Sequence, residues 1–229
     1  MSDGEKLVLA SLQDGWTSFR RAAFPLMASA LLMAGLLAAT QLLPRLPGQL
    51  LALLVSLWGS TGLLRGAAAA GYGRRPGPGL LLRRDRRGCQ RLLLASLLVL
   101  AVMALATLPG YALVALSVRF APASDPITTL LVALLPLLPA LVILHALPVG
   151  PLLIPDANGQ ERSVPLALRH SWRLVAARRG AVLVLAAVQL AVLQVSSGVQ
   201  PMLGVGLGLP LAICLGSATT RRLSRAAGC

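Results

Sequence analysis

Any chemistry in this chain has to come from few side chains. Its seven acids, Asp3, Glu5, Asp14, Asp85, Asp125, Asp156 and Glu161, all fall outside the long apolar stretches. That placement argues against a proton pump built on intramembrane carboxylates. It also removes the Asp cluster that would hold a divalent metal for phosphoryl transfer. His145 and His170 are the two histidines, too few for a zinc site without further ligands. His145 is the one ionisable group besides Arg65 at membrane depth, and an intramembrane ionisable residue is by default a functional candidate. Its closeness to Pro148 favours a neutral, hydrogen-bonded structural role near the interface.

The remaining motifs have plainer readings. Cys89, Cys214 and Cys229 show neither CxxC nor zinc spacing, and inert thiols fit them better than palmitoylation. Gly204-x-Gly206-x-Gly208 resembles part of a dinucleotide loop, but it lies in an apolar stretch and follows no strand. Close helix packing suits it better. Gly204 and Gly208 form a GxxxG pair, and Gly62, Gly66 and Ala70 form a small-residue stripe, both more suited to contacts within the chain than to a dimer face. Asp156-Ala-Asn158-Gly159 has turn composition and lacks the further ligands of a calcium loop. There is no GxSxG or HExxH. The expectation is a protein without catalysis, cofactor or metal.

What must position these groups follows from composition. Of 229 residues, 56% are hydrophobic and 12% charged, against about 25% charged in soluble domains. The net charge is +14, and Lys6 is the only lysine among the 21 basic residues. Such a charge suits nucleic acid in principle. Here the arginines sit in short clusters between apolar runs, the pattern of a membrane surface, so no nucleic-acid partner is expected. An Ala/Leu/Gly/Arg bias from a GC-rich genome accounts for arginine over lysine.

About 20 apolar residues cross a bilayer core as helix. Six runs qualify: Phe24–Leu43, about Leu50–Ala70 with Arg65 able to snorkel, Leu92–Val118 with a bend at Pro109-Gly110, Ile127 to about Leu147 with kinks at Pro136 and Pro139, about Ala181–Ser197, and Pro201–Ala218. With six spans, 19 of the 21 basic residues fall on one side and only Arg45 and Arg119 on the other. The positive-inside rule then predicts cytoplasmic N- and C-termini. The N-terminal segment does not read as a cleaved signal peptide, because its first membrane-length apolar run begins only near Phe24.

An internal repeat orders these spans. A shift of 156 residues places Val8 on Val164, Leu12 on Leu168, Trp16 on Trp172 and Phe19 on Val175. This spacing is one face of a helix. The opposite face carries Gln13, Arg20, Arg169, His170 and Arg173, and each copy ends in an arginine pair, Arg20-Arg21 or Arg178-Arg179. Both copies read as amphipathic helices in the membrane interface, with the indoles at headgroup depth. Ser163 is the candidate N-cap of the second. The linker Gly73–Arg91 is basic but lacks the Trp and the apolar stripe, so it is a weak third copy. The expected fold is all-α and polytopic: a single integral membrane domain over residues 1–229 with about six transmembrane helices. They form three hairpins, each preceded by an interfacial segment, as units 5–72, 77–149 and 161–220. The membrane-interface residues are Trp16, Phe19, Arg20, Arg21, Trp172, Arg173, Arg178 and Arg179.

The second copy carries a resemblance. Ala167, Leu168, Ser171, Trp172 and Leu174 follow a Pro-containing entry and an acidic loop and lead into a span. This element is similar to one in bacterial multi-helix membrane families of unknown function and in the membrane domain attached to some glycerophosphodiester phosphodiesterases. Gly15-Trp16-x-x-Phe19 is similar to the opening of the same families. The soluble catalytic domain of those phosphodiesterases is absent, so the resemblance implies a fold and a bacterial plasma-membrane location, not that activity. Two functions are expected in rank order. The first is a non-catalytic envelope scaffold or accessory protein, held to anionic lipid headgroups and open to a membrane-protein partner. The second is a transporter or substrate-binding subunit for a small, mostly neutral solute, with Gln41, Gln189, Gln194, Ser196 and Ser197 along its path.

Overall fold

A computed structural model describes residues 3–83, 85–120 and 163–226. The fourth expected span and His145 lie outside the described residues. Among these residues all regular structure is helical. In chain order the helices are α1 (Asp3–Thr40), α2 (Arg45–Gly71), the short α3 (Pro78–Leu81), α4 (Arg86–Phe120), α5 (Val164–Ala177) and α6 (Arg179–Val199). Then a three-residue α7 (Pro201–Leu203) passes through a π-helical segment (Gly204–Gly208) into α8 (Leu209–Ala226). Helices α1, α2, α4 (over Arg86–Leu108) and α6 are each long and apolar enough to cross a membrane. The sixth expected run, Pro201–Ala218, is helical from α7 to α8 but is not one of these four.

The helices outrun the apolar stretches that signal them. Helix α2 has 27 residues, about 40 Å of helix against a hydrocarbon core of about 30 Å. Its polar end turns can therefore continue into the headgroup layer. Helix α4 does not stop at Pro109-Gly110 but continues to Phe120. Membrane helices tolerate proline because neighbouring groups satisfy the freed carbonyl.

Two helix breaks set the plan. Helix α1 leaves helical geometry at Ala22 (φ −124°, ψ 16°), three residues before Pro25. Proline has no N–H to offer the carbonyl four residues back, that of Arg21. The second break is Arg178 (φ −141°, ψ 44°), between α5 and α6. The 156-residue shift that aligns Trp16 with Trp172 also places Ala22 on Arg178. The position matching Pro25 is Ala181, so proline is not needed for the second break.

Packing is tightest where small residues meet. The apolar half of α1 runs antiparallel to α2, and α8 lies against both. Phe19, Ala22, Leu26 and Ala30 of α1 cluster with Leu63, Ala67 and Ala70 of α2, Leu81 of α3 and Cys214 of α8. Lipid tails are as apolar as leucine, so close van der Waals contact rather than the hydrophobic effect holds such helices together. Gly66 illustrates the need: a methyl there would stand 2.7 Å from Leu26 Cδ2 and 2.5 Å from Leu81 Cδ2. The Gly62/Gly66/Ala70 stripe thus faces contacts inside the chain.

The segments expected at the interface pack across the expected units. The first half of α1 places Leu7, Val8 and Leu12 in a cluster with Leu174, Val175, Val182, Leu185 and Leu223, from the end of α5, the start of α6 and the end of α8. Helix α5 packs Val164 and Ala167 against Leu92 and Ala95 of α4. Helix α3 seats Leu81 between α1 and α2. Each of these three segments therefore packs on a long helix outside its own expected unit. The same contacts gather the kink of α1, the end of α2, the starts of α4 and α6, and the end of α8 at one end of the molecule, where the arginines concentrate.

Candidate membrane-interface site

The two repeated helices each have three faces. Toward the protein they present Ser11, Gly15, Ser18, Phe19 and Ala22 in α1, and Ala167, Ser171, Leu174 and Val175 in α5, all buried. Under the 156-residue shift these buried positions coincide from Ser11/Ala167 to Phe19/Val175. Of the apolar stripe read from the sequence, Phe19, Val164 and Val175 are buried, Val8, Leu12 and Leu168 are partly covered, and Trp16 and Trp172 are exposed. The small-residue stripe beside it makes the closest helix–helix contact of α1. A methyl on Gly15 would lie 2.6 Å from Leu215 Cδ2 and 3.0 Å from Leu215 Cα. The spacing Ser11, Gly15, Ser18, Ala22 is a small-residue pattern that could have revealed this.

The two indoles stay outside. Trp16 is 51% exposed and Trp172 48%. Phe19, expected with them at the interface, turns into the core at 5% exposure, while its ring stacks on Trp16 with centroids 5.9 Å apart. Position 19 sits at the edge between the exposed and the protein-facing stripes, which hydropathy alone does not separate. Arg20, Arg21, Arg173 and Arg179 are exposed, and Arg178, at the break itself, is half-buried.

Helix α8 brings in cations that charge counting marks only as loop charge. Arg222 Nε donates to Asp14 Oδ2 at 2.6 Å. That hydrogen bond holds the Asp14 carboxyl below its ordinary pKa and raises the Arg222 guanidinium. One turn on, Ser18 Oγ donates to the Asp14 carbonyl at 2.7 Å and accepts from Arg221 Nη2 at 3.4 Å. The Arg221 guanidinium lies 5.8 Å from the centre of the Tyr72 ring, within cation–π range. Burial pushes its pKa down, with Tyr72 and Asp14 acting against that shift. Gly71 makes the room, because a Cβ there would fall on the guanidinium. On the other flank of the same turn, Arg21 Nη1 reaches within 3.7 Å of the space a Cβ on Gly73 would fill, and Gly73 adopts φ 78°.

Arg65 does not simply snorkel. It is ion-paired with Asp85, both about four-fifths buried. The partner lies in the basic linker, twenty residues away, and sequence periodicity cannot show that the linker folds back over α2.

The glycine motif resolves as packing. Gly204, Gly206 and Gly208 are buried in the π-helical segment. A methyl at Gly206 would meet Leu31 at 3.1 Å. One at Gly204 or Gly208 would run into Ser197 or Ser196 of α6. The extra residue of the π turn lets α8 follow α6 this closely. Gln189, expected on a solute path, borders a void of about 20 Å³ with Gly216, Thr219 and Thr220, space for one water molecule. Among the described residues no three His, Cys, Asp or Glu side chains gather as a metal site. Cys214 is buried, and Cys89 is partly so, 3.7 Å from Thr61 Oγ1.

No family model, curated protein or solved structure matches the chain.

Proposed function

We propose that this chain is a six-span protein of the bacterial plasma membrane with both termini in the cytoplasm. It acts without catalysis, as an envelope scaffold or accessory subunit, and its arginine-rich end rests on anionic lipid headgroups. The observation that carries this reading is the twinned break at Ala22 and Arg178. Each break separates a three-faced surface helix from a membrane-length helix, with an exposed Trp and an arginine pair at the boundary. An indole is stable where its body meets acyl chain and its N–H meets water. Guanidinium groups at that depth suit phosphate. On this reading the Ser171-Trp172 element, and the bacterial membrane families it resembles, share an interface anchor rather than a reaction.

Six spans are supported by the residues that flank 121–162. Phe120 ends α4, while Val164 packs beside Leu92 and Ala95 near the start of α4. Phe120 and Ser163 therefore stand at opposite ends of a helix of 35 residues, about 50 Å.

The orientation is tested by single cysteines in a cysteine-free background. Arg45→Cys, at the start of α2, should react with an impermeant maleimide from the periplasmic side. Arg74→Cys, just beyond the end of α2, should react only after permeabilisation. The reverse pattern sinks the orientation. For the role, the protein purified in mild detergent should retain a reproducible membrane-protein partner. A dose-dependent rise in its thermal stability with a small neutral solute would refute the scaffold reading in favour of transport.

A further inference from the structure

An open groove of about 570 Å³ runs between the first two turns of α1 and the start of α6. Its walls are Gly4, Val8 and Leu9 on one side and Gly180, Ala181 and Val184 on the other. Glu5 is the one charged residue among the described residues that line it. Small-ligand sites span about 300–1,000 Å³. A Cβ on Gly180 would meet no described atom within 4 Å, so the groove stays open because position 180 carries no side chain. The 156-residue shift puts Phe24 at this place in the first copy, and Phe24 is 83% exposed. Just beyond its break, one copy presents an aromatic ring and the other a recess.

The recess is graded along α6. Gly180 follows directly on Arg178 and Arg179, the first half-buried and the second exposed. Val184, about 6 Å further along the helix, is apolar and 47% exposed, and Leu9 of the facing wall is 48% exposed. Helix α6 is of membrane length from Arg179 on. In the proposed orientation the arginine pair therefore lies at headgroup depth, and Val184 lies among acyl chains. An occupant must be anionic at the first end and apolar at the second. A phospholipid has that order: guanidinium groups match phosphate oxygens in geometry and charge, and an acyl chain suits walls of valine, leucine and alanine.

We propose that this groove holds a single phospholipid, with its phosphate at Arg179 and one acyl chain lying over Gly180 between α1 and α6. This rests on the proposed membrane placement and narrows it from a diffuse basic face to one bound lipid. Gly180 supplies the space, Val8, Leu9, Ala181 and Val184 supply the apolar walls, and Arg179 supplies the charge.

The test is native mass spectrometry of the full chain, extracted in mild detergent from phosphatidylglycerol vesicles. The wild type should keep one lipid per chain. Gly180→Phe fills the groove without striking a described neighbour and should lose that lipid. Gly35→Phe, at a glycine outside the groove that also has nothing within 4 Å, should keep it. Arg179→Gln should hold it more weakly, having lost a charge-assisted contact to phosphate. Should Gly180→Phe fail to fold, Leu9→Trp decides, since it fills the groove from the α1 side. A wild type that keeps no lipid overturns the proposal, as do full retention in the groove-filling variant and equal losses in Gly35→Phe and Gly180→Phe. Retention unchanged in Arg179→Gln overturns the phosphate contact. Preferential retention of oleate, offered together with phosphatidylglycerol, would reassign the ligand to a free fatty acid and overturn the phospholipid assignment. A dimer that Gly180→Phe dissociates would give the groove to a second copy and overturn it likewise. Cysteine labelling reads the orientation separately, so the expected labelling without a retained lipid counts against the groove alone.

Discussion

Gly15→Ala tests how α8 is held. A methyl at Gly15 would stand 2.6 Å from Leu215 Cδ2, 3.3 Å from Cγ and 3.0 Å from Cα. A rotamer change can move the Leu215 side chain away. The backbone of Leu215 cannot withdraw unless α1 and α8 move apart. Overpacking of this kind costs about 1–3 kcal/mol. Replacing a helical glycine by alanine returns about 0.5–1 kcal/mol through backbone entropy. The net expectation is a loss of about 0.5–2 kcal/mol from these two opposing effects. Gly35→Ala, in the same helix with nothing within 4 Å of the new methyl, should instead be neutral or stabilising by about 0.5–1 kcal/mol. Unfolding in mixed micelles by SDS titration, followed by far-UV circular dichroism, reads the difference directly. Leu215→Ala should cost less in the Gly15→Ala background than in the wild type, the difference being the part of the clash due to the side chain. If Gly15→Ala is as stable as Gly35→Ala, α1 and α8 do not meet where the structure places them.

Two further outcomes follow from the ion pairs. Arg65→Gln and Asp85→Asn each leave a partner four-fifths buried and should each destabilise, by more than the ~0.2–1 kcal/mol of a surface pair; in the same unfolding assay the double variant should cost less than the sum by about 0.5–3 kcal/mol, and strict additivity would show that the two side chains do not interact. Asp14 has its folded pKa lowered, chiefly by the hydrogen bond from Arg222, so its contribution is complete above the ordinary carboxylate value and disappears as pH falls through the lowered one. The pair is over a third exposed and therefore contributes only about 0.2–1 kcal/mol after screening. Wild type and Asp14→Asn should differ by this small, constant amount near neutral pH and converge in acid. A gap that widens below about pH 4, the ordinary carboxylate range, contradicts the assignment.

Much of the secondary structure was legible because lipid imposes a simple rule. Every backbone polar group in the hydrocarbon must be satisfied within the segment, so an apolar run of membrane length is a helix. That is why Leu50–Ala70 and Ala181–Ser197 lie inside α2 and α6. The Trp16/Trp172 alignment marked two helices that share a pattern of buried and exposed positions and end in matching breaks. Sequence also located both breaks indirectly, at the arginine pairs Arg20-Arg21 and Arg178-Arg179.

Which face of each helix meets protein is settled only in the folded molecule. Leucine facing lipid and leucine facing another helix have the same hydropathy, so Phe24 can be 83% exposed while Leu26, two residues on, is 1% exposed. Neighbours are chosen by shape instead: Gly15 admits Leu215, Gly66 admits Leu26 and Leu81, and Gly71 admits the Arg221 guanidinium. Long-range charge pairing was hidden as well. Asp85 and Arg65 are twenty residues apart and Asp14 and Arg222 more than two hundred, and no local pattern links them. Residue chemistry read along the chain was enough to establish helices of membrane length with arginines gathered between apolar runs, because solvent preference belongs to each residue. That α8 closes on α1 and α2 and sets Arg221 beside Ser18 and Tyr72 came from the fold, because packing belongs to pairs.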